Sequence, residues 1–189
     1  MGQSVVLQSA INISEGRDEG ILRALEAEVS LTLVDRHSDA SHHRSVFTLL
    51  GSDEAVLADA KRLTERALSL IDLRSHVGVH PRFGVVDVIP FIPFMKGRDK
   101  TTPVDFSGAM EAALDYRAFA RSLGLATAPY GLENLPLPAV RKRLRHGDLD
   151  GLVDGEVNPR QGVTIVGVRD VLVAWNMWIS NSELEVVNE

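Results

Sequence analysis

The sequence predicts an α+β fold, in which a mixed β-sheet has helices packed on one side. Short β-branched stretches alternate with segments of helical periodicity, in the order βαββαβαβαββ. That order contains a ferredoxin-like βαββαβ core with extra strands. A length of 189 residues, with 44% hydrophobic and 24% charged side chains, suits one globular domain over residues 1–189.

The first half of the chain supplies the predicted ferredoxin-like core. Residues 4–11 (SVVLQSAI) and 44–51 (RSVFTLLG) are short and rich in β-branched or aromatic side chains, which is typical of strands. Residues 31–36 predict a further strand, joined to the strand at 44–51 by a polar loop. Residues 18–30 place apolar side chains on one helical face, so they predict the helix between these strands.

A long amphipathic helix and a buried strand follow. Ser52 or Asp53 can cap the helix, whose apolar residues keep a four-three-four-three spacing. Its predicted buried residues are Val56, Ala60, Leu63, Ala67 and Leu70. Residues 84–94 predict a strand covered on both faces. Pro90 and Pro93 are expected to end its pairing, because proline cannot donate to the ladder.

The second half of the chain continues the alternation. Residues 101–125 predict a helix closed by Gly124. Its predicted inward residues are Phe106, Met110, Ala113, Ala120 and Leu123. The remaining predicted elements are a strand at 126–131, a short helix at 136–147 and terminal strands at 163–168 and 171–179.

Composition narrows the classes of function. The chain has no cysteine, which excludes disulfides, thiolate nucleophiles and cysteine metal sites and favours a reducing, cytoplasmic location. The formal net charge of −6 argues against a nucleic-acid partner. The one basic cluster, residues 141–147, is interpreted as a solvated helix end rather than a phosphate-binding patch. No apolar run approaches the roughly 20 residues that span a bilayer, so no membrane partner is predicted.

The loop before the buried strand carries the strongest chemical signal, in the stretch RSHVGVHPRFGVVDVIPFIPF. Histidine is the side chain best suited to proton transfer near neutral pH. Pro81 restrains His80 to an extended conformation, which fixes the direction of its imidazole. Arg82 could bind a carboxylate. A structural loop, whose histidines cap nearby carbonyls, remains an equally open interpretation.

A metal site is the alternative for these histidines. Two sets could supply ligands: His76, His80 and Asp87, or His37, His42 and His43. No HExxH motif occurs, and Pro81 with neighbouring glycines places the His76–His80 pair in a loop rather than on a helix. We therefore predict no metal.

Two further polar segments are candidates for a site. Asp35, His37, Asp39, His43 and Arg44 lie where a loop between strands could bring them together, and of these we retain His43 and Arg44 most firmly.

The segment NISEGR joins a strand to a helix, so its backbone N–H groups could receive an anion. Ser14 as a simple helix cap is the favoured alternative there. The loop DGEVNPRQG adds the polar or flexible residues Asn158, Arg160 and Gly162.

Four motifs, in order, identify a family: NISEGR, RSVFTLLG, IDLRSHVGVHPRFGVVDVIPFIP and GVTIVGVRDVLVAWN. Along nearly its whole length the chain resembles the N-terminal subdomain of glutamate formiminotransferase. The resemblance implies transfer of a formimino group from N-formimino-L-glutamate to tetrahydrofolate, a one-carbon step of histidine degradation. It implies that His80 is the catalytic acid and base and that residues 153–162 form the folate loop, and tetrahydrofolate is the expected co-substrate.

The resemblance and the polar segments together define the candidate site. The candidate substrate- and folate-binding residues are Arg82, Arg44, His43, Asn12, Ser14, Asn158, Arg160 and Gly162. His76, His37 and Asp39 are candidates for a supporting role, and His76 is expected to orient the loop.

Two features distinguish this chain from the family pattern. The family has a second subdomain of similar size, which this chain is expected to lack. The alternatives are that the chain is a fragment, that a separate chain or a second copy supplies the missing part, or that the activity has been lost. His43-Arg44 stands where the family usually has Asn-Arg, and the folate loop is more polar. The alternatives are a non-catalytic folate- or anion-binding subdomain and an enzyme acting on 5-formyltetrahydrofolate.

Overall fold

A computed structural model describes residues 6–29, 31–79, 81–94 and 103–172, and all structural statements concern these ranges. The first half contains three strands and two helices: β1 (Val6–Ile13), α1 (Glu19–Glu28), β2 (Leu33–Asp39), β3 (Arg44–Gly51) and α2 (Asp53–Leu70). A 3₁₀ turn at Leu73–Ser75 precedes the second half, which contains β4 (Val86–Phe94), α3 (Ser107–Ser122), β5 (Ala126–Gly131), α4 (Leu137–Arg145) and β6 (Val163–Val168). The predicted last strand at 171–179 lies largely outside the described residues.

The six strands form one mixed sheet in the order β2-β3-β1-β4-β6-β5. The first four strands pair antiparallel with their neighbours, whereas β4, β6 and β5 pair in parallel. The order β2-β3-β1-β4, with α1 and α2 as the crossovers, is that of a ferredoxin-like unit. The predicted core with extra strands is therefore confirmed.

The sheet carries apolar clusters on both faces at β4 and β6. Ile89 and Val166 belong to the large cluster beneath α1, α2 and α3. Val88 and Ile165 alternate with them and face a smaller cluster, to which α4 contributes Val140. The three longer helices thus lie on one side, as predicted, and the short α4 packs on the opposite face. No described helix has the length and apolarity to cross a bilayer.

The prediction that Pro90 and Pro93 end the pairing of β4 is wrong. The strand includes both prolines, with Pro93 opposite Leu7 of β1 and Pro90 opposite Gly167 of β6. Each proline removes one N–H donor, but its flanking residues keep their partners, so the strand continues. The prediction that both faces of this strand are covered is confirmed, since all but its last residue are buried.

The ends of the helices follow from local hydrogen bonding. Ser52 caps α2, as predicted, by accepting from the N–H of Ala55. Asp18, not Ser14, caps α1, and it accepts from the N–H groups of Gly20 and Ile21. Leu70 of α2 is only partly buried. Leu123, predicted to face inward, is exposed beyond the end of α3.

A buried hydroxyl pair between α2 and α3 gives a test of the core. The Thr64 hydroxyl donates to the carbonyl of Ala60 (2.8 Å) and lies 2.6 Å from the Tyr116 hydroxyl, so Tyr116 is the donor of the pair. We expect Tyr116→Phe to lower the free energy of unfolding by about 0.5–1.5 kcal/mol. Thr64→Val should cost about 1–3 kcal/mol, because it leaves the buried Tyr116 hydroxyl without an acceptor. Urea unfolding measures the loss of unfolding free energy in each variant. A larger loss for Tyr116→Phe than for Thr64→Val would contradict the assignment of Tyr116 as the donor.

Candidate functional site

Three loops meet at the end of the sheet where β1 ends and β3 and β4 begin. They are the first loop (residues 14–18), the hairpin loop (residues 40–43) and the histidine loop (residues 74–85). Hydrogen bonds join each pair of loops: Ser14 N to Val85 O (2.8 Å), Arg17 Nε to Ala40 O (2.7 Å) and Val79 N to Ser41 O (3.4 Å). Four side chains from these loops, Glu15, His43, His76 and Arg82, form what we term the histidine cluster.

The first loop is closed by its own carboxylate. Glu15 is 6% exposed, and its Oε1 accepts from the N–H groups of Gly16 (2.8 Å), Arg17 (2.7 Å) and Asp18 (3.0 Å). The expectation that these N–H groups receive an anionic ligand is therefore wrong, because Glu15 already occupies them. Ser14 is buried as well, and its hydroxyl donates to the carbonyl of Gly84 (2.8 Å) in the histidine loop.

Close backbone contact fixes the first loop against the hairpin loop. A Cβ atom on Gly16 would lie 2.5 Å from both the Arg44 nitrogen and the Asp39 carbonyl oxygen. No side chain fits in that space, so glycine is required for the approach of the two segments. The contact positions Glu15 beside His43.

His43 has a left-handed backbone conformation, with φ of 51°. Its Nδ1 accepts from the N–H of Gly16 (3.2 Å) and lies 3.3 Å from Glu15 Oε1. The His43 ring lies 3.7 Å, centroid to centroid, from the ring of His76. Burial lowers the pKa of His43, with Glu15 opposing that effect. The lowered pKa favours the uncharged imidazole at neutral pH.

His76 is held by Arg82 of its own loop. The Arg82 Nη1 contacts His76 Nδ1, so Nδ1 is the acceptor and Nε2 carries the proton. Nε2 is buried and has no hydrogen-bond partner among the residues the structure describes. Burial, with the charge of Arg82, lowers the pKa of His76 to about 4. His76 is therefore uncharged at neutral pH.

The lowered pKa of His76 predicts a specific pH dependence of stability. Between about pH 6.5 and pH 4 the unfolded chain protonates His76 and the folded chain does not, so stability falls as the pH falls through this window. We expect His76→Gln to lose less stability than the wild type over the same window, with proton uptake on unfolding smaller by up to about one proton. Urea unfolding at intervals from pH 7 to pH 4 measures the difference. Parallel stability curves for the two proteins would contradict the assigned pKa.

A buried carboxylate of β4 binds the backbone of the histidine loop. Asp87 of β4 is fully buried, and its Oδ1 accepts from the N–H of Phe83 (2.8 Å). Its Oδ2 lies 3.7 Å from Nη2 of Arg141 on α4, and Arg44 also interacts with it electrostatically. Burial raises the pKa of Asp87, and the Phe83 N–H and the two arginines oppose that effect. From the sequence, Asp87 was predicted only as a possible metal ligand. An acidic residue within an apolar strand does, however, indicate a buried ion pair.

The predicted folate loop lies against the histidine loop. Gly162, with φ of +73°, pairs with Gly84, and the carbonyl of Arg160 accepts from the N–H of Leu73 (3.0 Å). The Asn158 side chain is used within its own turn, where Oδ1 accepts from the N–H of Arg160 (2.9 Å). The structure thus places Gly162 against the histidine loop, and Arg160 against Leu73, the residue that precedes this loop.

Three sequence candidates that were expected in loops lie in strands. Asn12 belongs to β1, where its Nδ2 donates to the carbonyl of Ala10 (3.1 Å). His37 and Asp39 belong to β2, which extends further than predicted, and His37 is exposed there. Asp39 accepts from the backbone N–H of His42 (2.8 Å) and contacts the His42 Nδ1 (2.8 Å), and these two bonds lower the pKa of Asp39. His80 lies outside the described residues, and within the described ranges no group of three His, Cys, Asp or Glu side chains could hold a metal ion.

The chain is similar to enzymes whose names describe formimidoyl transfer. It is 33% identical to a glutamate formimidoyltransferase of Streptococcus pyogenes serotype M1, over 97% of this chain and 66% of that protein. It is 29% identical to a glutamate formimidoyltransferase of Thermoplasma acidophilum, over 93% of this chain and 62% of that protein. It is also 29% identical to the formimidoyltransferase-cyclodeaminase of Rattus norvegicus, over 92% of this chain and 34% of that protein.

These matches cover almost all of this chain but less than two thirds of each relative's length. A family model described as the formiminotransferase domain, N-terminal subdomain, matches residues 6–169. That range includes all three loops of the site. The chain therefore belongs to the formiminotransferase family, through the N-terminal subdomain of that domain.

Proposed function

We propose that this chain transfers a formimino group from N-formimino-L-glutamate to N5 of tetrahydrofolate, with His80 as general acid and base. The observation that supports this most strongly is the family match over residues 6–169, which includes the histidine loop. Two of the relatives are glutamate formimidoyltransferases, which supports the same chemistry.

The reaction requires two proton transfers at one carbon. The folate nitrogen attacks the carbon of the protonated formimino group and forms a C–N bond while the C=N electrons move to the imino nitrogen. The tetrahedral carbon then carries three nitrogens, from folate, from glutamate and from the former imine. The attacking nitrogen then loses a proton, the glutamate nitrogen gains one, and the bond to glutamate breaks. A single imidazole with a pKa near neutral can take the first proton and give the second.

The described side chains of the histidine cluster suit a supporting role in this reaction. His76 is neutral at working pH, and its buried Nε2–H is held by the Arg82 contact at Nδ1. His43 is fixed by Gly16 and by stacking on His76. We propose that these two rings orient the histidine loop and that Arg82 and Arg44 attract the carboxylates of donor and folate.

The remaining parts of the proposal concern the setting of the reaction. We propose that tetrahydrofolate is the co-substrate in a one-carbon step of histidine degradation, and that a second copy or a separate chain completes the folate site. The absence of cysteine from the sequence suits a reducing compartment, so the cytoplasm is the proposed location.

The choice of donor tests the proposal. The purified chain is supplied with tetrahydrofolate and N-formimino-L-glutamate, and release of free glutamate is measured; a parallel reaction contains 5-formyltetrahydrofolate alone. Glutamate release that depends on tetrahydrofolate is the expected result. Turnover of 5-formyltetrahydrofolate without any transfer from N-formimino-L-glutamate would favour the alternative enzyme. Folate binding with neither reaction would favour a non-catalytic subdomain.

A further inference from the structure

Helix α4 and the histidine loop enclose a small cavity that none of the candidate residues above accounts for. It has a volume of about 120 Å³ and is lined by Pro81, Phe83, Arg141 and Arg145. We term it the α4 cleft. Since a water molecule takes about 30 Å³ in the liquid, the cleft has room for a carboxylate group and a bound water. Pro81 follows His80 in the chain, so the cleft opens beside the proposed catalytic loop.

The charge of the α4 cleft is positive and only partly compensated. The Nη2 of Arg141 lies 3.7 Å from Oδ2 of Asp87, and this carboxylate also acts electrostatically on Arg44 and Arg82. Asp39 is a second carboxylate that acts on Arg44. The Arg141 Nε is buried and makes no hydrogen bond within the part of the chain that the structure describes. Arg145, one turn further along α4, is exposed, and its Nε donates to the carbonyl of Arg141 (3.3 Å).

A third arginine of α4, Arg143, does not line the cleft and has acidic partners of its own. Arg143 donates to both carboxylate oxygens of Asp148 (2.7 and 3.0 Å) and to the carbonyl of Asp150 (2.8 Å). Its charge is therefore satisfied locally. The basic cluster of α4 is thus not uniform: Arg141 and Arg145 line the cleft, and Arg143 faces an acidic turn.

We propose that the α4 cleft binds the carboxylate of a glutamyl group through Arg141 and Arg145. The proposal rests on the proposed function, because both the donor and tetrahydrofolate carry such a group. A guanidinium pair is well suited to a carboxylate, and Pro81 and Phe83 would pack against the methylene stem. The basic cluster at residues 141–147, interpreted from sequence as a solvated helix end, thereby acquires a binding role in two of its arginines.

Equilibrium binding tests the α4 cleft independently of turnover. Calorimetry is performed with N-formimino-L-glutamate, with tetrahydrofolate and with tetrahydropteroate, which lacks the glutamyl group. Arg145→Gln is the main variant, because Arg145 is exposed and its replacement should not disturb folding. We expect it to weaken binding of at least one glutamyl ligand about tenfold or more, as for loss of a charged hydrogen bond. Arg141→Gln should act on the same ligand, and Arg143→Gln is the matched control and should bind as the wild type does.

The ligand that responds identifies the source of the carboxylate. Weaker binding of N-formimino-L-glutamate alone would assign the cleft to the donor, and weaker binding of tetrahydrofolate but not of tetrahydropteroate would assign it to the folate tail. Wild-type affinity of Arg145→Gln for every ligand, an equal loss in Arg143→Gln, or no binding of any glutamyl ligand by the wild type would overturn the proposal. Glutamyl binding that depends on Arg145 in a chain that transfers no formimino group would support the cleft and refute only the proposed function.

Discussion

Replacing His80 with alanine is expected to lower the rate of formimino transfer by about 10²–10⁴-fold for each proton transfer that the imidazole carries out. The loss should appear in kcat, because both transfers occur after the substrates have bound. Steady-state rates with N-formimino-L-glutamate and tetrahydrofolate measure it. Folate affinity should change little, since the proposed contacts to carboxylates come from arginines.

Variants at other histidines test whether the loss of transfer rate is specific to His80. The structure places His37, a sequence candidate for a supporting role, exposed on β2 and outside the histidine cluster, so that role is not retained and His37→Ala is the control. It should keep the wild-type rate. If His80→Ala turns over at nearly the wild-type rate while His76→Ala or His43→Ala does not, proton transfer belongs to one of those residues and the assignment to His80 is wrong.

Replacing Gly162 with alanine is expected to lower the free energy of unfolding more than Tyr116→Phe, Thr64→Val or Gly147→Ala. The φ of Gly162 is +73°, and an added Cβ would lie 2.0 Å from the carbonyl oxygen of Phe83 and 2.8 Å from the Cα of Gly84. The left-handed conformation costs a side chain about 1–2 kcal/mol, and the overpacking adds about 1–3 kcal/mol. We expect a loss of about 2–5 kcal/mol in the free energy of unfolding, measured in urea, together with displacement of the histidine loop.

A substitution at Gly147 distinguishes the conformational cost from the overpacking cost expected at Gly162. The φ of Gly147 is +70°, but an added Cβ would meet no atom within 4 Å. Gly147→Ala should therefore lose only the conformational part, about 1–2 kcal/mol. Equal losses in the two variants would mean that the contact between Gly162 and the histidine loop is not tight in solution.

The architecture was predictable because it follows from short-range patterns. The spacing of Val56, Ala60, Leu63 and Ala67 indicates α2, and the alternation of buried and partly buried residues along β1 and β3 is typical of strands. The continuation of β4 through Pro90 was not predictable in the same way. It depends on β1 and β6 lying on both sides of the strand, which is a tertiary condition.

The candidate site was predictable in its residue types but not in its contacts. The sequence indicates His43, His76 and Arg82, yet nothing local predicts that the His43 and His76 rings lie 3.7 Å apart or that Glu15 lies beside His43. These contacts join residues that are 33 and 28 positions apart in the chain, counted from His43 to His76 and from Glu15 to His43. The roles of Asp87 and Arg141 were missed for the same reason, since α4 meets β4 only in the folded sheet.

The most direct test of the central claim follows the transferred carbon itself. N-formimino-L-glutamate labelled with ¹³C at the formimino carbon is mixed with the purified chain and tetrahydrofolate, and ¹³C NMR records the label. The account predicts that the donor signal is replaced by a folate-bound formimino signal, with one glutamate released per transfer, and that His80→Ala prevents the exchange. A label that stays on glutamate while tetrahydrofolate is bound to the chain would contradict it.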